Sequence, residues 1–135
     1  MTKYLAAYAA TIVVFAALDF LWLGLVAKSI YQQGIGHLMA DKPNLAIAAL
    51  FYVVYAAGLM WFVVEPYANA AGVGKVVLTA ALFGFFAYAT YDLTNWATLK
   101  DWPASVAIAD MLWGSAASAA AATTGYYVLR AMQLR

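Results

Sequence analysis

The sequence contains no cysteine and a single histidine, and few of its residues carry charge. Without cysteine there are no disulfides, thiolate nucleophiles, iron–sulfur clusters or cysteine zinc sites. One histidine excludes an intramolecular bis-histidine haem, and we predict no cofactor and no metal centre. The net charge is +1 with no basic stripe, so nothing would neutralise phosphates and a nucleic-acid partner is not expected.

What the chain has in excess is apolar surface. Hydrophobic residues make up 67% of the 135 positions and charged residues 10%, whereas soluble domains carry about 45–50% and about 25%. Such a chain cannot cover itself with polar groups, so the lipid bilayer is its expected surroundings. The length suits one membrane domain over residues 1–135.

Four apolar runs are long enough to cross a bilayer. The first is longer than the 7–15-residue core of a signal peptide and lacks a small-residue cleavage site, so we interpret it as a retained helix. The composition and these runs predict an all-α integral membrane protein, a four-transmembrane-helix antiparallel bundle. Its spans are expected at residues 4–27, 45–64, 76–99 and 104–129.

The connections between the spans predict the orientation. The polar connection Ser29–Asn44 contains glycine and proline breakers and is expected to lie in the interface, with Asn44 capping the next helix. An even number of spans puts both termini at one end of the bundle. That end carries four Lys or Arg residues and the other, here called the far end, carries three, which weakly favours cytoplasmic termini.

Three aspartates lie inside the spans, and an intramembrane carboxylate costs roughly 2.5–3.5 kcal/mol on insertion scales. Asp19 lies nine residues before Lys28, and Asp92 and Asp110 lie eight residues from Lys100 and Trp102. At a helical rise of 1.5 Å, all three are ~12–13 Å from the far end. Tyr52 falls at the same depth, so we predict one polar intramembrane layer.

Helical spacing gives each aspartate a hydrogen-bond donor on its own helix, because residues three and four apart are neighbours. Trp22 is expected beside Asp19, and Trp113 beside Asp110. Tyr88, Asn95 and Trp96 are expected beside Asp92. No Lys, Arg or His lies within a span, so we expect the layer to hold at least one proton near neutral pH. The single histidine, His37, is a loop candidate for a ligand or proton shuttle, although anchoring of the loop is the simpler interpretation.

Small residues recur every fourth position of the last span, at Gly114, Ser118 and Ala122. This pattern allows close helix approach. Packing within the chain is the favoured interpretation, and a homodimer interface stays open.

The layer predicts binding or carriage of a proton, a cation or a small polar or lipid headgroup. Two alternatives stay open. The carboxyl groups could serve as acid and base in an enzyme that modifies a lipid or isoprenoid, or the layer could only fix packing in an accessory or assembly subunit. Since no nucleophile or phosphate-binding motif is present, the residues name neither a reaction nor the small ligand.

Several ordered motifs resemble one known family. They are ALDFLWLG, GHLMADKPN, FYVVYAAGL, AYATYDLTNWATLKDWP and ADMLWG. Together they are similar to the small bacterial membrane proteins catalogued as domain of unknown function 2177, over nearly the whole chain. The resemblance implies four spans in the bacterial inner membrane. It implies no established activity, so it supplies no catalytic residue.

Overall fold

Every regular element of the computed structural model is a helix in residues 1–134, the part of the chain that the structure describes. Two of the helices continue through a π-helical turn, at Trp22–Val26 and Met60–Val64. The predicted fold class, an all-α four-helix membrane protein, is confirmed. The helices are α1 (Thr2–Leu21), α2 (Lys28–Ile35), α3 (Leu45–Leu59), α4 (Gly74–Thr98) and α5 (Ala104–Gln133).

Four of these helices, taken with their π-helical turns, are long and apolar enough to cross a membrane. The spans are Thr2–Val26, Leu45–Val64, Gly74–Thr98 and Ala104–Gln133. Their outward side chains are largely apolar, with Val13, Val54, Leu78 and Leu112 among the exposed ones. A helix that is apolar on its outer face as well as its inner face is typical of a span in lipid.

The last helix, α5, forms the centre of the bundle. It packs along α4 on one side and α1 on the other, and α3 packs against α1. The core between them is built from both large and small side chains, including Phe15, Leu59, Val76 and Leu129. Because α5 contacts both α1 and α4, it brings together the aspartates of all three helices.

Close approach of α4 and α5 depends on residues with little or no side chain. A Cβ atom on Gly84 would collide with the carbonyl oxygen of Gly114 and with the side chain of Ser118. Nearby, Ser115 Oγ donates a hydrogen bond of 2.8 Å to the carbonyl oxygen of Ala81. The small-residue face at Gly114, Ser118 and Ala122 is therefore buried within the chain.

The first connection differs from the expected interfacial loop. Its first part forms α2, followed by a short 3₁₀ turn, Gly36–Leu38. Three residues four apart, Ala27, Tyr31 and Ile35, form the buried stripe of this helix and pack against the start of α5. The bare backbone of Gly34 lets α2 approach Pro103 and Val106, so this glycine serves packing rather than ending the helix.

The end of the same connection is as expected. The side chain of Asn44 accepts a hydrogen bond of 3.2 Å from the backbone N–H of Ile47. This is the predicted N-cap of the second span, and it is confirmed. α3 therefore starts at Leu45, directly after the capping residue.

Candidate functional site

Asp19 of α1, Asp92 of α4 and Asp110 of α5 all point into the bundle. Their exposed fractions are 9%, 0% and 9%. Polar groups in hydrocarbon are costly unless they are paired, so the partners of each carboxyl group define what the cluster can do.

Asp19 has two donors from other helices. The hydroxyl of Tyr52, on α3, donates to its Oδ2 at 2.7 Å. The indole N–H of Trp113, on α5, donates to its Oδ1 at 3.2 Å. Both carboxyl oxygens are thereby bonded, and Asp19 joins α1, α3 and α5 at one depth.

Asp110 is bonded from the short helix α2. The hydroxyl of Tyr31 donates to Asp110 Oδ1 at 2.7 Å, and the indole N–H of Trp22 donates to the same hydroxyl at 2.9 Å. Burial, as the main cause, raises the pKa of Tyr31 above its usual range. Tyr31 therefore keeps its proton and remains a donor to Asp110.

Stacked indoles connect these two groups of hydrogen bonds. The rings of Trp22 and Trp113 are nearly parallel, at 2°, with centroids 4.6 Å apart. Trp113 donates a hydrogen bond to Asp19. Trp22 donates one to Tyr31, which in turn donates one to Asp110. The hydrogen bonds and the stacked rings therefore form one network, with residues from α1, α2, α3 and α5. Its three acceptors are Asp19, Tyr31 and Asp110.

Asp92 is different, because its two oxygens are buried without a hydrogen-bond partner in the part of the chain that the structure describes. Across the contact of α4 with α5, Gly84 meets Ser118 and Tyr88 meets Gly114. One helical turn further on, the same register places Asp92 opposite Asp110. Two carboxylates only repel, whereas a carboxylic acid donates a strong hydrogen bond to a carboxylate. The pair can therefore be satisfied by one proton held between α4 and α5.

No cation in the part of the chain that the structure describes compensates the cluster. Within residues 1–134 the single ion pair joins His37 Nε2 and Asp101 Oδ2 at 3.9 Å, and both of these side chains are exposed at the far end. Lys28 and Lys100 are exposed as well. Nor does any trio of His, Asp and Glu in these residues form a metal site.

A cavity of about 520 Å³ reaches the cluster. Two of the carboxyl groups, those of Asp19 and Asp110, lie in its wall, and apolar or aromatic side chains make up most of the rest. Such a volume is typical of a small-molecule site. The other lining residues are Leu23, Tyr31, Ile35, Met39, Phe51, Tyr55, Ala87, Tyr88, Tyr91, Trp102 and Val106.

The cavity wall also contains an unused donor. The indole N–H of Trp102 is buried and has no hydrogen-bond partner among the described residues. The ring packs edge to face against Tyr91, with centroids 5.6 Å apart. The cavity thus offers carboxylate acceptors, aromatic faces and one indole donor.

Not every residue of the sequence-based site joins this arrangement. Tyr52, Trp22 and Trp113 belong to the network, and Tyr88 lines the cavity. Trp96 is exposed, Asn95 is half-buried, and neither is bonded to Asp92. His37 pairs with Asp101 outside the cluster. Asp19, rather than Asp92, has the most hydrogen-bond partners, with two donors against one for Asp110.

Sequence reasoning missed Tyr31 and Trp102. The polar connection places Tyr31 in the interface, yet Tyr31 lies midway in the i, i+4 stripe of Ala27 and Ile35, which predicts a short helix with one buried face. Trp102 lies just before the start of α5, and only 7% of it is exposed. Nothing in the local sequence distinguishes an interfacial tryptophan from one that turns inward.

Comparison with known proteins gives one family. A family model described as a predicted membrane protein, DUF2177, matches residues 4–127. No curated protein and no solved structure matches the chain. The family model covers all three aspartates and every residue of the hydrogen-bond network.

Proposed function

The chain belongs to the DUF2177 family of predicted membrane proteins, and we propose that it binds or carries a small amphiphilic molecule. The apolar part of this ligand occupies the cavity, and its cationic or hydrogen-bond-donating head contacts Asp19 and Asp110. We also propose that the membrane is the bacterial inner membrane, with both termini in the cytoplasm. The excess of basic residues at the terminal end supports this orientation.

The observation that carries the proposal is the composition of the cavity wall. An apolar cavity of about 520 Å³ includes two buried carboxyl groups and no basic side chain. Carboxylates accept hydrogen bonds and attract positive charge, while the aliphatic and aromatic wall favours a hydrocarbon chain or ring. An anionic head would be repelled by the same carboxyl groups.

The aromatic side chains support a cation in particular. Tyr88, Tyr91 and Trp102 line the same cavity as the two carboxyl groups. The faces of such rings attract ammonium groups, by more than 2 kcal/mol in the best desolvated cases. Neutral hydroxyl heads could use the carboxylates but would gain nothing from the ring faces.

Binding of decylammonium to the purified protein in zwitterionic lipid nanodiscs tests the proposal. Tryptophan fluorescence reports the event, because Trp102 lies in the cavity wall and the Trp22–Trp113 pair contacts the carboxyl network. Decanol and decyl sulfate are probes of the same chain length, and empty nanodiscs correct for partitioning into lipid. We expect saturable binding in the order decylammonium, decanol, decyl sulfate.

The Asp110→Asn variant should bind decylammonium roughly 10- to 100-fold more weakly, since one charge-assisted contact is lost. The matched control is Asp41→Asn, which removes the same charge from an exposed position in the connection at the far end. Equal affinities for all three probes, or an Asp110→Asn variant indistinguishable from Asp41→Asn, would refute the proposal. The carboxyl layer would then serve packing alone.

A further inference from the structure

We propose that Asp92 and Asp110 form a proton-exchange pair: they share one proton in the free protein, and a cationic ligand at Asp110 displaces it. This inference rests on the proposed function and adds regulation to it. Ligand and proton would compete for Asp110, so the protein would bind its ligand in exchange for a proton.

The first step of the argument is the position of Asp92. Its side chain is fully buried, it is absent from the cavity wall, and neither of its oxygens has a partner among the described residues. Asp110 lies opposite it in the register of α4 and α5, and Asp110 lines the cavity. A structural carboxylate would be bonded on both oxygens, as Asp19 is. Asp92 has only another carboxyl group.

The second step is that, within residues 1–134, the other titratable groups near the pair are acidic or neutral. Asp19 of α1, Tyr31 of α2, and Tyr88 and Tyr91 of α4 line the cavity together with Asp110. Tyr52 of α3 contacts Asp19. None of these can neutralise a second negative charge. A buried ion without a counter-ion is strongly unfavourable, so the free pair holds one proton, in an O–H···O⁻ bond.

The third step concerns what a cation does when it reaches Asp110. A unit positive charge ~4 Å away lowers the proton affinity of the pair by roughly a thousandfold, taking an effective dielectric constant of ~20. Binding is reciprocal, so the proton lowers the cation affinity by the same factor. The exchange balances: an alkylammonium enters, one proton leaves to solvent, and no covalent bond between heavy atoms changes.

The geometry assigns separate roles to the two aspartates. Asp110 touches the cavity, so it meets the cation directly. Asp92 acts through Asp110, because it contributes the second oxygen pair that makes a shared proton stable. Replacing Asp92 by asparagine supplies a permanent amide donor to Asp110, which then stays ionised with no proton to release.

Isothermal titration calorimetry of decylammonium into the nanodisc-embedded protein measures this directly. Titrations at one near-neutral pH, in two buffers of different ionisation enthalpy, count the protons released. We expect about one proton per ligand for the wild-type protein and for Asp41→Asn, and close to none for Asp92→Asn, which should still bind. Binding by wild type without proton release would overturn this inference and leave the proposed function standing.

A second measurement needs no variant. The affinity of the wild-type protein for decylammonium should fall as pH is lowered, by up to about tenfold per pH unit. An affinity independent of pH across the acidic and neutral range would overturn the exchange pair even if Asp92→Asn failed to fold. Failure of decylammonium to bind at any pH would instead overturn the proposed function, and this inference with it.

Discussion

Substitution of Tyr31 by phenylalanine tests the hydrogen-bond network most sharply. The change removes one oxygen atom and leaves the ring that packs against the start of α5. Two bonds are lost together: the 2.9 Å bond accepted from Trp22 and the 2.7 Å bond donated to Asp110. A neutral bond contributes about 1 kcal/mol and a bond to a charged group about 1.5–3 kcal/mol. We therefore expect a loss of roughly 2.5–4 kcal/mol in the free energy of unfolding.

The assay is reversible unfolding in mixed micelles, followed by tryptophan fluorescence. Two matched variants set the scale. Tyr127→Phe removes a hydroxyl from an exposed ring and should change the unfolding free energy by less than about 0.5 kcal/mol. Tyr52→Phe removes one bond to Asp19 and should fall between the two. If Tyr31→Phe were as stable as Tyr127→Phe, the network would not hold α2 against the bundle.

Three further expectations concern packing, topology and protonation. Gly84→Ala should lower the unfolding free energy by about 1–3 kcal/mol, because the new methyl group meets the carbonyl oxygen of Gly114. Gly72→Ala, in open space, is the control. Equal stability of the two variants would contradict the close packing of α4 and α5. Infrared spectra near neutral pH should show a carboxylic acid C=O band that is lost in Asp92→Asn, and its absence from the wild-type spectrum would rule out the shared proton. Reporter fusions should locate to the far, near and far sides of the membrane when placed after Gly36, Ala70 and Asp101, and any other alternation would contradict the four-span topology.

The positions of the spans and the depth of each side chain in the membrane can be predicted from sequence, because both depend only on position along the chain. Apolar runs fix where a helix enters and leaves lipid, and the rise per residue then fixes how deep each side chain lies. Asp19, Asp92 and Asp110 could therefore be placed at one depth before any contact was known. The structure adds that all three are buried and that α5 is the helix that joins them.

The sequence does not predict in the same way which face of a helix is buried, or whether a short segment such as α2 is helical. Spacing puts Asn95 and Trp96 near Asp92 on α4, but it does not say how much of that face a neighbouring helix covers, and Trp96 is in fact exposed. The helix α2 contains a glycine and polar residues that are typical of a loop, and its helical state depends on burial of Tyr31 and Ile35 against α5. Tertiary contacts decided both cases.

The order in which the chain is synthesised determines when Asp19 becomes fully paired. Its first donor, Tyr52, arrives with α3, but Trp113 lies 94 residues after Asp19. At about 5–20 residues per second, ribosomes need roughly 5–20 s to cover that distance. Until α5 enters the membrane, the nascent protein exposes an incompletely bonded carboxyl group to lipid. Chaperones or membrane proteases that recognise polar groups in lipid could therefore distinguish an unfinished molecule from a complete one, and insertion of the final helix would end that vulnerability.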